Sequence, residues 1–169
     1  LDAYGHVNNA KVYDYLQQAR VTATTAWDPT MARAGAEGSE HLWLVARQDV
    51  DYVAQIEHRL EPYAVRIAPV RLGTSSLTLA AEIVDGDSVL VRGRTVLVCA
   101  DKDFSPVPLS EETRAQLGLY IVENGACPAA RVSGYGPVAR PRRGGREVAD
   151  ELVVGIDFGT LSGRVVVVR

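Results

Sequence analysis

The chain is poor in cysteine: its 169 residues contain two, Cys99 and Cys127, far apart in sequence. Neither has a partner at metal-ligand spacing. A disulfide framework and a zinc knuckle therefore have no basis here, and two unlinked thiols in a reducing cytoplasm are expected. Long apolar runs are also missing. None approaches the ~20 residues that span a bilayer, and nothing at the start reads as a secretory leader. A charge excess of one sign is absent too, with a net charge of −3. That balance gives no electrostatic case for nucleic acid or an anionic membrane. What remains is ordinary globular composition, 47% hydrophobic and 23% charged, in a chain long enough for one domain with a proper core plus an appendage.

Both ends fall inside features. The sequence starts at Leu1, with Asp2 already opening a motif, and stops at Arg169 directly after Val165-Val166-Val167-Val168. The expectation is a piece of a longer reading frame.

Residues 9–27 read as a helix. Asn8 or Asn9 can cap it, because a short polar side chain accepts a bond from an orphan N–H of the first turn. Val12, Leu16, Ala19, Ala23 and Trp27 recur on one face, and Asp28-Pro29 ends it. Residues 32–41, with Gly35 and Gly38, read as a loop. Four strand signals follow. Over 44–56, Leu44, Ala46, Val50, Tyr52, Ala54 and Ile56 share a face. Residues 63–72 alternate less cleanly, and Pro69 marks a bulge or an unpaired position. Over 76–84, Leu77, Leu79, Ala81 and Ile83 share a face. Asp85-Gly86-Asp87 is a turn, and 88–99 places Val89, Val91, Leu97 and Cys99 on one side. Ser110-Glu111-Glu112 opens a short helix to about Leu117, with Gly118 as its stop. One long helix followed by consecutive strands is an α+β pattern with an antiparallel sheet.

Composition changes after Gly118. Residues 119–150 are read as a linker, and Arg140-Pro141-Arg142-Arg143-Gly144-Gly145-Arg146 has no periodicity, which predicts disorder. A nucleic-acid tail is the sharper reading of these arginines, but the run is short and has no interleaved aromatics. Residues 152–158 read as a buried strand, and Val165–Val168 as the start of another.

Chemistry concentrates in the first nine residues. Asp2, Gly5, His6, Asn8 and Asn9 stand immediately before a helix, whose N-terminus presents unpaired N–H groups and partial positive charge to a developing oxyanion. A nearby Asp can serve as general base or nucleophile. Gly5 allows a sharp turn and close backbone approach. Singly, each residue reads as well as a cap, a turn or a surface group.

The order Asp2-Ala3-Tyr4-Gly5-His6-Val7-Asn8-Asn9-Ala10, followed by Tyr13, Tyr15 and Ala19-Arg20, resembles the signature of the 4-hydroxybenzoyl-CoA thioesterase-like branch of the hot-dog superfamily. Val50-Asp51-Tyr52, Leu72-Gly73-Thr74-Ser75-Ser76 and Pro106-Val107-Pro108-Leu109 are similar to its later signals, so the resemblance covers residues 1–118. It implies a helix wrapped by a curved antiparallel sheet, and a homodimer or homotetramer with acyl-CoA sites at its interfaces. Asp2 then falls on the catalytic carboxylate, and the carbonyl-polarising N–H falls near Asn9. Tyr4, Gly5, His6 and Asn8 would touch substrate or order the loop. Thr74, Ser75 and Ser76 would contact the acyl or pantetheine part, from the same protomer or its neighbour. No cofactor is implied, CoA being part of the substrate. A non-hydrolytic acyl-CoA-binding protein of the same fold is the alternative. Tyr4, Tyr13, Trp27 and Tyr52 could line either an aromatic or an aliphatic pocket, or simply pack the core.

Relatives carry a strand that runs into the Asp motif, at one edge of the sheet, and no such strand precedes Asp2 here. The expectations are an exposed neighbouring strand, a frayed Asp2, and weak activity or stability.

The far end carries a second resemblance. Gly155-Ile156-Asp157-Phe158-Gly159-Thr160-Leu161-Ser162-Gly163-Arg164 resembles the first phosphate-binding hairpin of ribulokinase-type sugar kinases, over residues 151–169. Asp157, Gly159, Thr160 and Arg164 are the phosphate-site candidates, and ATP and Mg²⁺ would belong to an intact kinase parent. A genuine fusion and a read-through of two neighbouring genes both account for such an arrangement.

Overall fold

In the computed structural model, residues 5–28, 30–31, 41–59, 61–122, 152–156 and 165–168 are described. The linker and the phosphate-site candidates Asp157, Gly159, Thr160 and Arg164 lie outside these residues.

Helix α1 spans Asn9–Trp27. Asn8 caps it, its side chain accepting from the Ala10 N–H at 2.9 Å, which satisfies one of the orphan donors of the first turn. The expected face is the buried one: Val12, Leu16, Ala19, Ala23 and Trp27 all enter the core. Asp28 stops the helix in an extended conformation, as a residue before proline prefers.

Strands β1 (Leu42–Tyr52), β2 (Tyr63–Leu72), β3 (Ser76–Asp85) and β4 (Ser88–Ala100) follow, then helix α2 (Glu111–Gly118) and strands β5 (Leu152–Ile156) and β6 (Val165–Val168). They form one antiparallel sheet in the order β1-β4-β3-β2-β5-β6. Helix α1 covers one face. It approaches β4 so closely that a Cβ on Gly93 would meet Leu16 Cδ1 at 3.0 Å. The core between them joins the helix face to Tyr63, Val65 and Ile67 of β2, Leu77, Leu79, Ala81 and Ile83 of β3, and Leu90, Val91 and Leu97 of β4. Leu117 of α2 is fully buried in the same core, and Trp27 meets Tyr120 with ring centroids 5.8 Å apart.

Three bulges correct the simple alternation. On β1 the register slips between Val45 and Arg47. Trp43 and Val50, seven residues apart, therefore both pack against the core, which strict alternation forbids. The expected shared face from Leu44 to Ile56 does not exist, and the strand ends at Tyr52 rather than running to 56. Between β3 and β4 the register slips at Ile83/Val84. Leu90 enters the main core, whereas Val89 packs with Ala64 and Val84 in a separate small cluster. Val89 and Val91 thus do not share the face assigned to them from sequence. At Pro69 the slip is where proline placed it, before Arg71.

The outer edge of β2 carries β5: Tyr63 pairs with Ile156, Val65 with Val154, and Ile67 with Leu152. Strand β6 pairs in turn with β5. At the opposite margin, β1 is paired on one side by β4 and has no second neighbour among the described strands.

Candidate functional site

The loop before α1 is held against the segment that leaves β1. Gly5 adopts φ +84°, a conformation that a side chain resists. The next residues are then stitched in place: His6 bridges Glu57 in antiparallel fashion, and the Val7 N–H donates to the Ile56 carbonyl at 3.0 Å. The Val53 and Ala54 N–H groups both donate to the Leu90 carbonyl at 2.9 Å, which bends residues 53–56 away from the sheet line.

Between loop and segment lies an open cavity of about 440 Å³, lined by His6, Val7, Asn8, Asn9, Val12 and residues 52–56. Its floor is the N-terminus of α1. Two of the first N–H groups there are already used: Ala10 donates to the Asn8 side chain at 2.9 Å, and Lys11 to the Asn8 carbonyl at 2.8 Å. The Asn9 N–H has no acceptor among the described residues. A donor at a helix N-terminus beside a cavity is suited to an anion or a polarised carbonyl. The Tyr52 hydroxyl donates to the Asn9 carbonyl at 3.0 Å, joining the helix to the end of β1. Burial, and then the neighbouring Tyr13, push the Tyr52 hydroxyl above its usual pKa, so it remains a protonated donor at neutral pH.

Of the residues singled out in sequence, Gly5, His6, Asn8 and Asn9 come together here, and the last three line the cavity. Asp2 and Tyr4 lie outside the described residues. Thr74, Ser75 and Ser76 are not brought to this cavity within one chain. They form the turn between β2 and β3, where Ser76 faces Val98, whereas Tyr52 faces Val91. Seven residues of β4 separate those ends, about 23 Å at ~3.3 Å per residue. The turn is rigid: its Gly73 and Thr74 carbonyls accept from Arg114 Nη2 at 2.9 and 3.2 Å, and the Ser75 carbonyl accepts from Cys99 N–H at 2.8 Å. Trp27 belongs to the core rather than to a pocket. Sequence reasoning missed the wall made by Val53–Ile56, because no glycine or proline marks the end of β1. Among the described residues, no group of three or more His, Cys, Asp or Glu could hold a metal, and no helix is long and apolar enough to cross a membrane.

Comparisons with known proteins agree with this architecture. A search of curated proteins gives no match. Among solved structures, a thioesterase from Thermus thermophilus, crystallised with coenzyme A and Zn, is 31% identical over 69% of this chain and 87% of its own, with a TM-score of 0.58. A predicted thioesterase from Bacillus stearothermophilus is 26% identical over 72% of this chain and 88% of its own, with a TM-score of 0.61. A thioesterase-superfamily protein from Jannaschia sp. CCS1, at 16% identity, 72% and 85% coverage and a TM-score of 0.65, shares the fold. The model of the thioesterase-like superfamily matches residues 1–117, which take in the capped helix, its loop and strands β1 to β4, and the chain belongs to that superfamily.

Proposed function

We propose that the chain hydrolyses an acyl-CoA thioester to the free acid and CoA. The observation that carries this reading is the Asn9 N–H, left without an acceptor among the described residues at the start of a 19-residue helix and set beside an open cavity. A thioester carbonyl accepting from that N–H is polarised by it and by the helix dipole. Asp2 stands three residues before the left-handed turn at Gly5 and supplies the carboxylate. As general base, it takes a proton from water as the water oxygen bonds to the carbonyl carbon. The negative charge then develops on the oxygen held by Asn9. Collapse of that adduct breaks the carbon–sulfur bond, and the CoA thiolate leaves and is protonated. As nucleophile, Asp2 would attack the carbonyl carbon, the carbon–sulfur bond would break with loss of the CoA thiolate, and water would then open the resulting mixed anhydride to the free acid and the Asp2 carboxylate. His6 acts as a loop brace, a role supported by its bridge to Glu57.

The active form in this reading is a homodimer or a homotetramer, with the Thr74–Ser76 turn of one copy serving the cavity of another. Two observations support it. The turn is too far from its own chain's cavity, and the outer edge of β1 has no neighbour among the described strands, with Val45 and Tyr52 exposed along it.

Thiol release from a panel of aromatic and aliphatic acyl-CoAs tests the reading on the full chain. Turnover should fall by about 100-fold or more in Asp2→Asn, the range for losing a general base. Undiminished turnover in that variant would sink the assignment of Asp2. Tight acyl-CoA binding with no turnover by the wild-type chain would favour a binding protein over a hydrolase.

A further inference from the structure

We infer that Tyr52 is a positioning residue that fixes the carbonyl-polarising Asn9 N–H relative to the cavity wall; this rests on the thioesterase reading above. The argument begins with the two peptide planes on either side of the Asn9 Cα. The plane that carries the Asn9 N–H also carries the Asn8 carbonyl, which accepts from Lys11 N–H at 2.8 Å. The next plane carries the Asn9 carbonyl and the Ala10 N–H. Its N–H end is held by Asn8 Oδ1 at 2.9 Å, and its oxygen end by the Tyr52 hydroxyl at 3.0 Å. Of these three bonds, the first two lie within the helix cap and fix the N–H only relative to α1. The Tyr52 bond alone runs from the cap to the sheet.

Tyr52 is also a wall of the same cavity and sits at the last residue of β1, paired with Val91 of β4. One side chain thus joins the donor's frame to the wall along which substrate must lie. An oxyanion donor works only if it is held to within a few tenths of an ångström of where the charge appears. The ring is half exposed, so the hydroxyl contributes little to the core, and its removal should be felt in the reaction more than in folding.

Tyr52→Phe in the full chain keeps the ring and removes the bond. The expected result is a kcat roughly three- to tenfold lower, the factor of one lost hydrogen bond, with KM within about twofold and an unchanged melting temperature. Amide hydrogen exchange at residues 9–12 should quicken in the same variant. Unchanged exchange, unchanged kcat, or a raised KM at constant kcat would each overturn the role, the last because it would make Tyr52 a wall only. A wild-type chain that turns over no acyl-CoA would remove the thioesterase reading. The exchange experiment would still decide the clamp in that case, and equal rates in the two proteins would overturn it.

Discussion

At the scale of single residues, one close contact sets how α1 lies on the sheet. Gly93 leaves 3.0 Å between the place of an absent Cβ and Leu16 Cδ1. Leu16 is almost fully buried and has little room to retreat. Gly93→Ala is therefore expected to destabilise the fold by about 1–3 kcal/mol, the usual cost of overpacking a filled core. Denaturant unfolding measures it, and adding Leu16→Val should recover part of the loss. If Gly93→Ala left stability unchanged, the close approach would not be real. The cap and the left-handed glycine were legible in sequence because each is a local matter: Asn8 precedes a periodic run, and Gly5 precedes the cap. Tyr52 as a clamp was not legible. Its partner Asn9 is 43 residues away, and no local pattern encodes which carbonyl a tyrosine will reach.

At the scale of elements, the boundaries of α1, β2 and β3 follow their patterns, and the errors cluster at bulges. An extra residue inverts every side chain beyond it. The slips at Val45/Arg47 and Ile83/Val84 put Trp43, Val89 and Leu90 on faces that alternation did not predict. Pro69 alone announced its bulge, because proline lacks the N–H that pairing needs. The pairing of β5 with β2 makes its own prediction. Replacing Val153 and Val154 together with proline removes the N–H groups facing either neighbour. The amides of residues 63–67 should then exchange faster, while those of β3 and β4 keep their protection. Equal exchange in the two proteins would mean that β5 does not hold this edge.

At the scale of the whole molecule, ionisation links the fold to pH. Burial, and then Asp14, push the Tyr15 hydroxyl up from 10.0 to about 12. Below about pH 10 both folded and unfolded chains keep the proton, and Tyr15 contributes no slope. Between about pH 10 and 12 the unfolded chain releases it first, so stability falls as pH rises through that window. Tyr52 and Tyr63 are shifted in the same direction, chiefly by burial. Unfolding midpoints should therefore drop above about pH 10, with a shallower drop in Tyr15→Phe; identical slopes would contradict the burial of that hydroxyl. The sheet order as a whole was the least legible feature. That Leu152–Ile156 forms a strand is written in its run of apolar residues, but which edge it joins depends on a partner far earlier in the chain. That separation has a consequence for synthesis. The ribosome delivers β2 long before β5, and the stretch of roughly 80 residues between them takes about 4–16 s at about 5–20 residues per second. Throughout that interval β2 cannot yet pair with β5, and a strand edge awaiting its partner is where neighbouring nascent chains can join edge to edge.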